Sequence, residues 1–172
     1  MKEKLTGTVE ADETYVGGKV RGQGRHFLGN KTPVVSLVER GGQKRSLVTE
    51  RVTGTNLKEA LTDKVDASAT LMTDDFKGYG KGAAGFKAHY SVNHSAREYV
   101  RGDVFTNTVG SSFSLLKRGV MGTFRSISRR HLPLYLAEFD HRWNLRGMTE
   151  AERTVQRLKK AEGKRLALQT TN

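Results

Sequence analysis

Short apolar stretches separated by turn residues make up the first half of the chain. Small apolar and polar residues roughly alternate over 5–17, which predicts a first strand. Residues 34–39 and 44–52 predict a second and a third strand, and the sequence RGGQ at 40–43 is typical of a hairpin turn between them. Segment 17–31 is rich in glycine and basic residues and predicts a loop. The three strands can therefore pair as a meander.

A helix and two more strands are predicted next. Asn56, with Glu59 at the third position of the helix, predicts a capping box and a helix that runs to about Val65. Residues 69–73 predict a short apolar strand that ends at Asp74 and Asp75. The four glycines of 78–85 predict a break in the chain, and residues 88–92 predict a fifth strand.

The apolar period becomes helical after Asn107. One predicted helix has an apolar face formed by Val109, Phe113, Leu116 and Val120. A second begins near His131, with Pro133 in its first turn. Its apolar stripe consists of Leu132, Leu136, Phe139 and Trp143. A last helix over 149–162 is basic and weakly amphipathic. A strand meander followed by alternating helices and strands favours the α/β class, with a mixed sheet flanked by helices.

The composition is strongly basic and lacks cysteine. The formal net charge is +12, and residues 115–172 contain 13 Lys or Arg against 5 Asp or Glu. This excess favours a nucleic acid partner, although a ribosome-like or merely soluble basic surface has the same composition. The absence of cysteine excludes a disulfide scaffold, a thiolate zinc site and a cysteine nucleophile. No segment is predicted to cross a membrane or to act as a signal peptide, so we expect a cytoplasmic protein without a membrane partner.

Two aspartates of the predicted sheet are candidates for a functional site. Asp12 lies within the first predicted strand, where aspartate is uncommon, and Asp74 ends the short apolar strand. Carboxylates on neighbouring strands could share hard divalent cations and so support phosphoryl transfer. Turn formation is the alternative explanation for Asp74 and Asp75. Glu10 and Glu13 flank Asp12, and Glu10 shares its face of the strand, which makes Glu10 a further candidate ligand.

Four ordered blocks resemble the catalytic domain of insertion-sequence transposases of the DDE class, especially the branch that usually carries a zinc ribbon ahead of that domain. The first block is VEADETYVGGK at 9–19, and the second is TDDFKGY at 73–79. The third comprises TNTVG at 106–110 and FSLLKRG at 113–119. The fourth is HLPLYLAEFD at 131–140, followed by Arg142, Asn144 and Arg146. The resemblance covers roughly residues 9–146, and the four blocks together are specific.

This resemblance implies a ribonuclease-H-like catalytic domain over residues 1–147, followed by a basic helix and tail over 148–172. It implies that Asp12 and Asp74, which are 62 residues apart, are catalytic acids that bind Mg²⁺ or Mn²⁺. It also implies that the partners are DNA, as transposon ends and target, and that the protein forms a homo-oligomer on that DNA.

The resemblance places the third acid at position 110, where this chain has Gly110. That position lies 36 residues after Asp74 and seven before Lys117, so it shares a helix face with Lys117. Glycine cannot bind a metal, so we expect metal affinity to fall, and hydrolysis and strand transfer to fall further. The amide oxygen of Asn107, about one turn earlier, is a candidate substitute ligand. Phe105 is a second departure, because the family often has histidine there.

Basic residues in and after the third block are candidates for phosphate contacts. They are Lys117, Arg118, Arg125, Arg129 and Arg130. A solvated helix face explains the same residues. The loop over 17–31 could form a DNA clamp or a flexible connection through Lys19, Arg21, Arg25 and Lys31. We expect structural or DNA-contacting roles for His89 and His94, and a core position for Trp143.

Two functional hypotheses from different classes follow. The first is a transposase catalytic domain that hydrolyses a phosphodiester at the transposon end and joins the freed 3′ hydroxyl to target DNA, impaired by Gly110. The second is a non-catalytic DNA-binding relic of a transposase, which Gly110 favours and the intact Asp12 and Asp74 oppose. A structure-selective nuclease of the same fold is a weaker third hypothesis. The chain begins almost at the first block, which together with Gly110 suggests a truncated or decaying copy of a bacterial-type, nucleoid-associated protein.

Overall fold

The computed structural model describes residues 3–18, 29–93 and 100–164. Four residues singled out above, Lys19, Arg21, Arg25 and His94, lie outside these ranges. The described elements are, in chain order, β1 (Thr8–Val16), β2 (Thr32–Glu39), β3 (Lys44–Val48), α1 (Gly54–Lys64), β4 (Thr70–Asp74), α2 (Gly78–Ala83), β5 (Ala88–Val92), β6 (Val100–Arg101), β7 (Val104–Phe105), α3 (Asn107–Arg118), a π-helical segment (Gly119–Phe124), α4 (Leu132–Asn144) and α5 (Glu150–Ala161).

Five of these strands form one mixed sheet in the order β3-β2-β1-β4-β5. The pairs β3–β2 and β2–β1 are antiparallel, whereas β1–β4 and β4–β5 are parallel. The predicted mixed sheet flanked by helices is therefore confirmed, and it is consistent with a ribonuclease-H-like fold. The pattern of the sequence did not predict the small hairpin of β6 and β7, which directly precedes α3.

Each face of the sheet buries its own apolar side chains. Successive side chains of a strand point to opposite faces, so β2 contributes Val35 and Leu37 to one core and Val34 and Val38 to the other. The first core is closed by α1 and α2, and the second by α3 and α4. The apolar faces predicted for α3 and α4 supply the buried residues Val109, Phe113, Leu116, Leu132 and Leu136.

The first turn of α1 differs from the sequence prediction. Thr53 is the N-cap, and its hydroxyl accepts a hydrogen bond of 3.3 Å from the backbone N–H of Asn56. The side chain of Asn56 instead donates to the carbonyl of Arg51 at 2.8 Å. The capping box predicted between Asn56 and Glu59 is therefore wrong, because the N-cap lies three residues before the predicted one.

The predicted break over 78–85 is also wrong, because α2 forms there. Its buried residues Tyr79 and Ala83 pack into the first core. The glycines allow α1 and α2 to approach closely, since a Cβ at Gly82 would lie only 3.2 Å from the Cα of Lys58. Glycine is used here for close packing and does not end the element.

Polar side chains attach α4 to the edge strand β3. Asn144 accepts from the backbone N–H of Lys44 at 2.7 Å and donates to its carbonyl at 3.2 Å. Asp140 accepts hydrogen bonds from the backbone N–H and the hydroxyl of Ser46, and lies 3.5 Å from the buried Nζ of Lys44. The edge of the sheet is thereby covered. Trp143, expected in the core, is partly buried beside these residues.

The last helix, α5, lies mostly in solvent. It begins with a capping box in which Thr149 and Glu152 exchange hydrogen bonds, and none of its side chains is buried. Arg153 attaches it to the preceding turn through the carbonyls of Leu145 and Arg146. Among the residues that the structure describes, no helix has the length and apolar character needed to cross a bilayer.

Candidate active site

Asp12 and Asp74 come together just beyond the point where the parallel pairing of β1 and β4 ends. The last register pair of β1 and β4 is Glu10 opposite Met72, and each aspartate follows two positions later on its strand. One carboxylate oxygen from each of Asp12, Glu13 and Asp74 lies within 4.8 Å of the others. This set, called the carboxylate cluster below, contains both acids singled out from the sequence and one that was not.

Local hydrogen bonds hold the three side chains of the cluster. Asp12 accepts from the backbone N–H of Glu13 at 2.7 Å, and Asp74 accepts from that of Phe76 at 3.1 Å. The hydroxyl of Tyr79, which is fully buried, donates to Glu13 Oε2 at 2.8 Å. The short helix α2 that follows β4 therefore orients Glu13 from the opposite side of the sheet to α3.

Asp12 and Glu13 hold their protons more tightly than free carboxyls do. Burial is the main cause that raises the pKa of Asp12 from 3.8 to about 6. The neighbouring Asp74 also raises this pKa, whereas the hydrogen bond from the backbone N–H of Glu13 and the charge of Lys117 lower it. Burial likewise raises the pKa of Glu13 from 4.5 to about 7, with added repulsion from Asp74 and Asp12. Burial and the adjacent Glu13 also raise the pKa of Tyr79 well above its usual value, so its hydroxyl remains a donor. Crowded, half-buried carboxylates of this kind are suited to binding a cation.

Glu10 does not belong to the carboxylate cluster, although it shares a strand face with Asp12. Its fully buried carboxylate accepts from the backbone N–H groups of Thr108 and Val109 at 2.8 and 3.0 Å, and from the hydroxyl of Thr108 at 2.9 Å. Glu10 therefore caps the N-terminus of α3 from β1, where the N-cap residue Thr106 makes no side-chain capping bond. The structure does not support Glu10 as a metal ligand.

Arg40 completes this capping arrangement. Its Nε donates to Glu10 Oε1 at 2.8 Å, and its two terminal nitrogens donate to the carbonyls of Asp103 and Phe105. The guanidinium also lies 3.6 Å from the centre of the Phe105 ring. The phenyl ring that departs from the family pattern is thus a platform for Arg40. Because β1 carries both Glu10 and Asp12, this contact fixes α3 relative to the carboxylate cluster.

Position 110 lies in the first turn of α3 and faces open space. A Cβ built on Gly110 meets no atom within 4 Å, so a longer side chain fits there. Lys117, two turns later on the same face, is exposed and acts electrostatically on Asp12. Asn107 is the exposed first residue of α3, and its role as a substitute ligand stays a prediction.

The basic residues predicted to contact phosphate are all exposed. None of Lys117, Arg118, Arg125, Arg129 and Arg130 forms an ion pair with another described residue. Arg125 has φ 58° and ψ −47°, and the N–H of Ser126 donates to the carbonyl of Phe124 at 2.6 Å. This is a γ-turn of the strained class. The ring of Phe124 is held edge-on against Tyr135, with centroids 4.7 Å apart.

Two further residues, His89 and Glu13, lie near the two aspartates. His89 has a structural contact, since its Nε2 lies 2.9 Å from the hydroxyl of Thr73, immediately before Asp74. Burial lowers the pKa of His89. Glu13 was noted only as a neighbour of Asp12, because strand alternation places adjacent side chains on opposite faces. The sequence signals for Glu13 are its own place in the family block at 9–19 and the tyrosine at position 79 of the block at 73–79.

Comparison with known proteins identifies the family of the chain. The sequence profile of the ISXO2-like transposase domain matches residues 4–144. An uncharacterized protein in transposable element ISH50 of Halobacterium salinarum is 31% identical over 156 residues, which cover 80% of this chain and 52% of that protein. An uncharacterized transposase-like protein of Haemophilus influenzae is 26% identical over 99 residues, covering 58% of this chain and 79% of that protein. The chain thus spans about half the length of the halobacterial relative.

Proposed function

The chain belongs to the family of ISXO2-like transposase domains, and from this membership we propose that it is the catalytic domain of a DDE-type transposase that cuts and joins DNA. One observation carries the proposal. Asp12 and Asp74 lie on adjacent parallel strands, and a carboxylate oxygen of one is within 4.8 Å of a carboxylate oxygen of the other. The activity of this copy is lower than that of a chain with an acid at position 110.

The donor set fits a hard divalent cation, because its ligand atoms are carboxylate oxygens. Asp12 and Asp74 would hold Mg²⁺ or Mn²⁺ between β1 and β4. When bound, such an ion polarises a phosphoryl oxygen and lowers the pKa of a coordinated water. Both carboxyls must be ionised to bind it, and burial makes the ionisation of Asp12 less favourable than that of a free carboxyl.

The DNA would lie across the side of the sheet covered by α3 and α4. Residues 104–137 contain five Lys or Arg and no Asp or Glu, so this stretch presents uncompensated positive charge. Of these basic residues, Lys117 is the one whose charge acts on Asp12, where it lowers the pKa of the carboxyl. We propose that it contacts the phosphate beside the bond that is cut, and that Arg118, Arg125, Arg129 and Arg130 hold the flanking backbone.

Gly110 supports the second hypothesis, that of a non-catalytic DNA-binding relic of a transposase. A catalytic helix without its acid is expected in a relic that binds DNA and no longer cuts it. The capping of α3 does not depend on position 110, because Glu10 caps this helix from β1 and Arg40 holds Glu10 in place. The relic would therefore keep the same fold and the same basic surface, and only chemistry separates the two functions.

A joining assay with Gly110→Glu tests the proposal. The substrate is a labelled fragment carrying the ends of the element that encodes the chain, with a supercoiled plasmid as target and Mn²⁺ present. Joined product that disappears when Asp12→Asn is added supports a transposase, including its assembly on paired ends. Cleavage without joining would indicate a nuclease, and DNA binding without cleavage would indicate the relic.

A further inference from the structure

Glu13 is the member of the carboxylate cluster that the family pattern does not assign. One of its oxygens lies within 4.8 Å of ligand oxygens from Asp12 and Asp74. The position expected to supply the third acid, Gly110, has no side chain at all. The site therefore still contains three carboxylates, and the third comes from the sheet itself.

The orientation of Glu13 is set by a donor that leaves it free to bind. The hydroxyl of Tyr79 engages Oε2 alone, at 2.8 Å. Among the described residues, no other side chain donates a hydrogen bond to Glu13. Tyr79 has no exposed surface, so its hydroxyl is a fixed point in the first core. A carboxylate held by one oxygen presents the other at a defined place, as the ligands of a metal site require.

Two carboxylates of the cluster, those of Asp12 and Glu13, have no bonded counter-ion among the described residues. The protein has 30 Lys or Arg against 18 Asp or Glu, yet within the described ranges neither Asp12 nor Glu13 forms an ion pair. Lys117 acts on Asp12 only at a distance. Half-buried carboxylates gathered without a bonded counter-ion are costly unless a cation joins them.

We propose that Glu13 replaces the missing acid of position 110 as the third carboxylate ligand, so that this chain keeps a divalent metal site despite Gly110. The inference rests on the proposed function in one respect, namely that Asp12 and Asp74 bind the metal. It separates metal binding from catalysis: Glu13 contributes a ligand from β1, whereas an acid on α3 would approach the metal from the DNA side. Loss of the α3 acid would then impair cutting without emptying the site.

Calorimetric titration of the purified chain with Mn²⁺ alone tests this. We expect Glu13→Gln to weaken binding roughly tenfold or more, as removal of groups that build a metal site commonly does. Tyr79→Phe keeps the carboxylate and removes only its hydrogen bond, so its loss should be smaller. Asp75→Asn is the matched control, because it removes one negative charge from an exposed carboxylate beside Asp74 that is outside the cluster. Melting curves without metal confirm that each variant is folded.

The outcomes distinguish this inference from the proposed function. If Glu13→Gln binds as tightly as the unaltered chain while Asp12→Asn binds weakly, Glu13 is not a ligand and the proposed site stands. If only Gly110→Glu binds Mn²⁺, the third ligand belongs on α3 and the inference is overturned. If neither Asp12→Asn nor Glu13→Gln changes the affinity, both the inference and the proposed site are wrong.

Discussion

Asp12 on β1 and Asp74 on β4 keep the register of their parallel strands. They are 62 positions apart, and the three register pairs, from Thr8 opposite Thr70 to Glu10 opposite Met72, have the same separation. Extended by two positions, this register sets the aspartates side by side on one face. The spacing of the two acids in the sequence is therefore a property of the sheet, which brings their carboxylates within 4.8 Å of each other and of Glu13.

The crowding of the three carboxylates should make the free energy of unfolding of the metal-free protein depend on pH. Burial raises the pKa of Glu13 from 4.5 to about 7, so the folded state binds its proton more tightly than the unfolded chain does. Its contribution to the free energy of unfolding therefore falls as pH rises through that interval. We expect Glu13→Gln to melt at a higher temperature than the unaltered chain at the alkaline end and to lose this advantage at the acidic end. Melting curves in EDTA measure the difference, and a difference independent of pH would contradict the assignment.

Mn²⁺ should reverse the loss of stability that the metal-free protein shows as pH rises. Metal binding needs the ionised carboxylates, so the rise in melting temperature caused by Mn²⁺ should grow as pH increases over the same interval. The same titration with Asp12→Asn serves as the control, because that variant should gain little at any pH.

The buried contact between Glu10 and Arg40 should contribute strongly to stability. Glu10→Ala would leave the guanidinium of Arg40 and the first N–H groups of α3 without their partner, at a cost of about 3–5 kcal/mol in the free energy of unfolding. Denaturant titration measures it. The matched control is Glu138→Ala, which removes an exposed partner of Arg142 on α4 and should cost less than about 1 kcal/mol. Equal losses in the two variants would show that Glu10 does not anchor α3.

Arg125 should strengthen DNA binding and at the same time lower the free energy of unfolding. Its positive φ of 58° is strained for a residue with a side chain, so Arg125→Gly should raise the free energy of unfolding by about 1 kcal/mol. The same variant should weaken DNA binding, because it loses a phosphate contact. Arg129→Gly is the control: it loses an equal charge without relieving strain, so it should weaken binding and not stabilise. If Arg125→Gly has a lower free energy of unfolding than the unaltered chain, the backbone at Arg125 is not strained.

The salt dependence of DNA binding should locate the basic face. Lys117→Ala and Arg118→Ala should each reduce the slope of log affinity against log salt concentration by about one, as the loss of one phosphate contact does. Lys58→Ala removes the same charge from α1, on the opposite side of the sheet, and should leave the slope unchanged. Fluorescence anisotropy at several salt concentrations measures the slopes. A similar change in all three variants would mean that binding follows net charge alone.

The sequence predicted the architecture well where a periodic pattern coincided with burial. Strand β5 lies over the segment predicted for it, and helices α3 and α4 lie where helical spacing placed them. Prediction failed at α2, because glycine was interpreted as a breaker and close helix packing depends on contacts between distant segments. It failed at Asn56 for a different reason, since Thr53 offers an equally good cap three residues earlier.

The site was predictable only in part from the sequence. Asp12 and Asp74 were found because their strands and the family blocks mark them. Glu10 was misjudged, because alternation gives the face of a side chain and cannot show that α3 begins directly above it. Glu13 was overlooked because its face is opposite to that of Asp12, and the hydrogen bond from Tyr79 that directs it joins residues 66 positions apart.

Mn²⁺-dependent nicking of supercoiled plasmid tests most directly the claim that Asp12, Asp74 and position 110 form one cutting centre. Gly110→Glu should nick faster than the unaltered chain, and the added Asp12→Asn change should abolish the gain. Gly110→Ala is the control, since it fills the same open space without an acid and should not nick faster. If Gly110→Glu binds Mn²⁺ and DNA normally and still nicks no faster than Gly110→Ala, position 110 is not part of the cutting centre and the account is wrong.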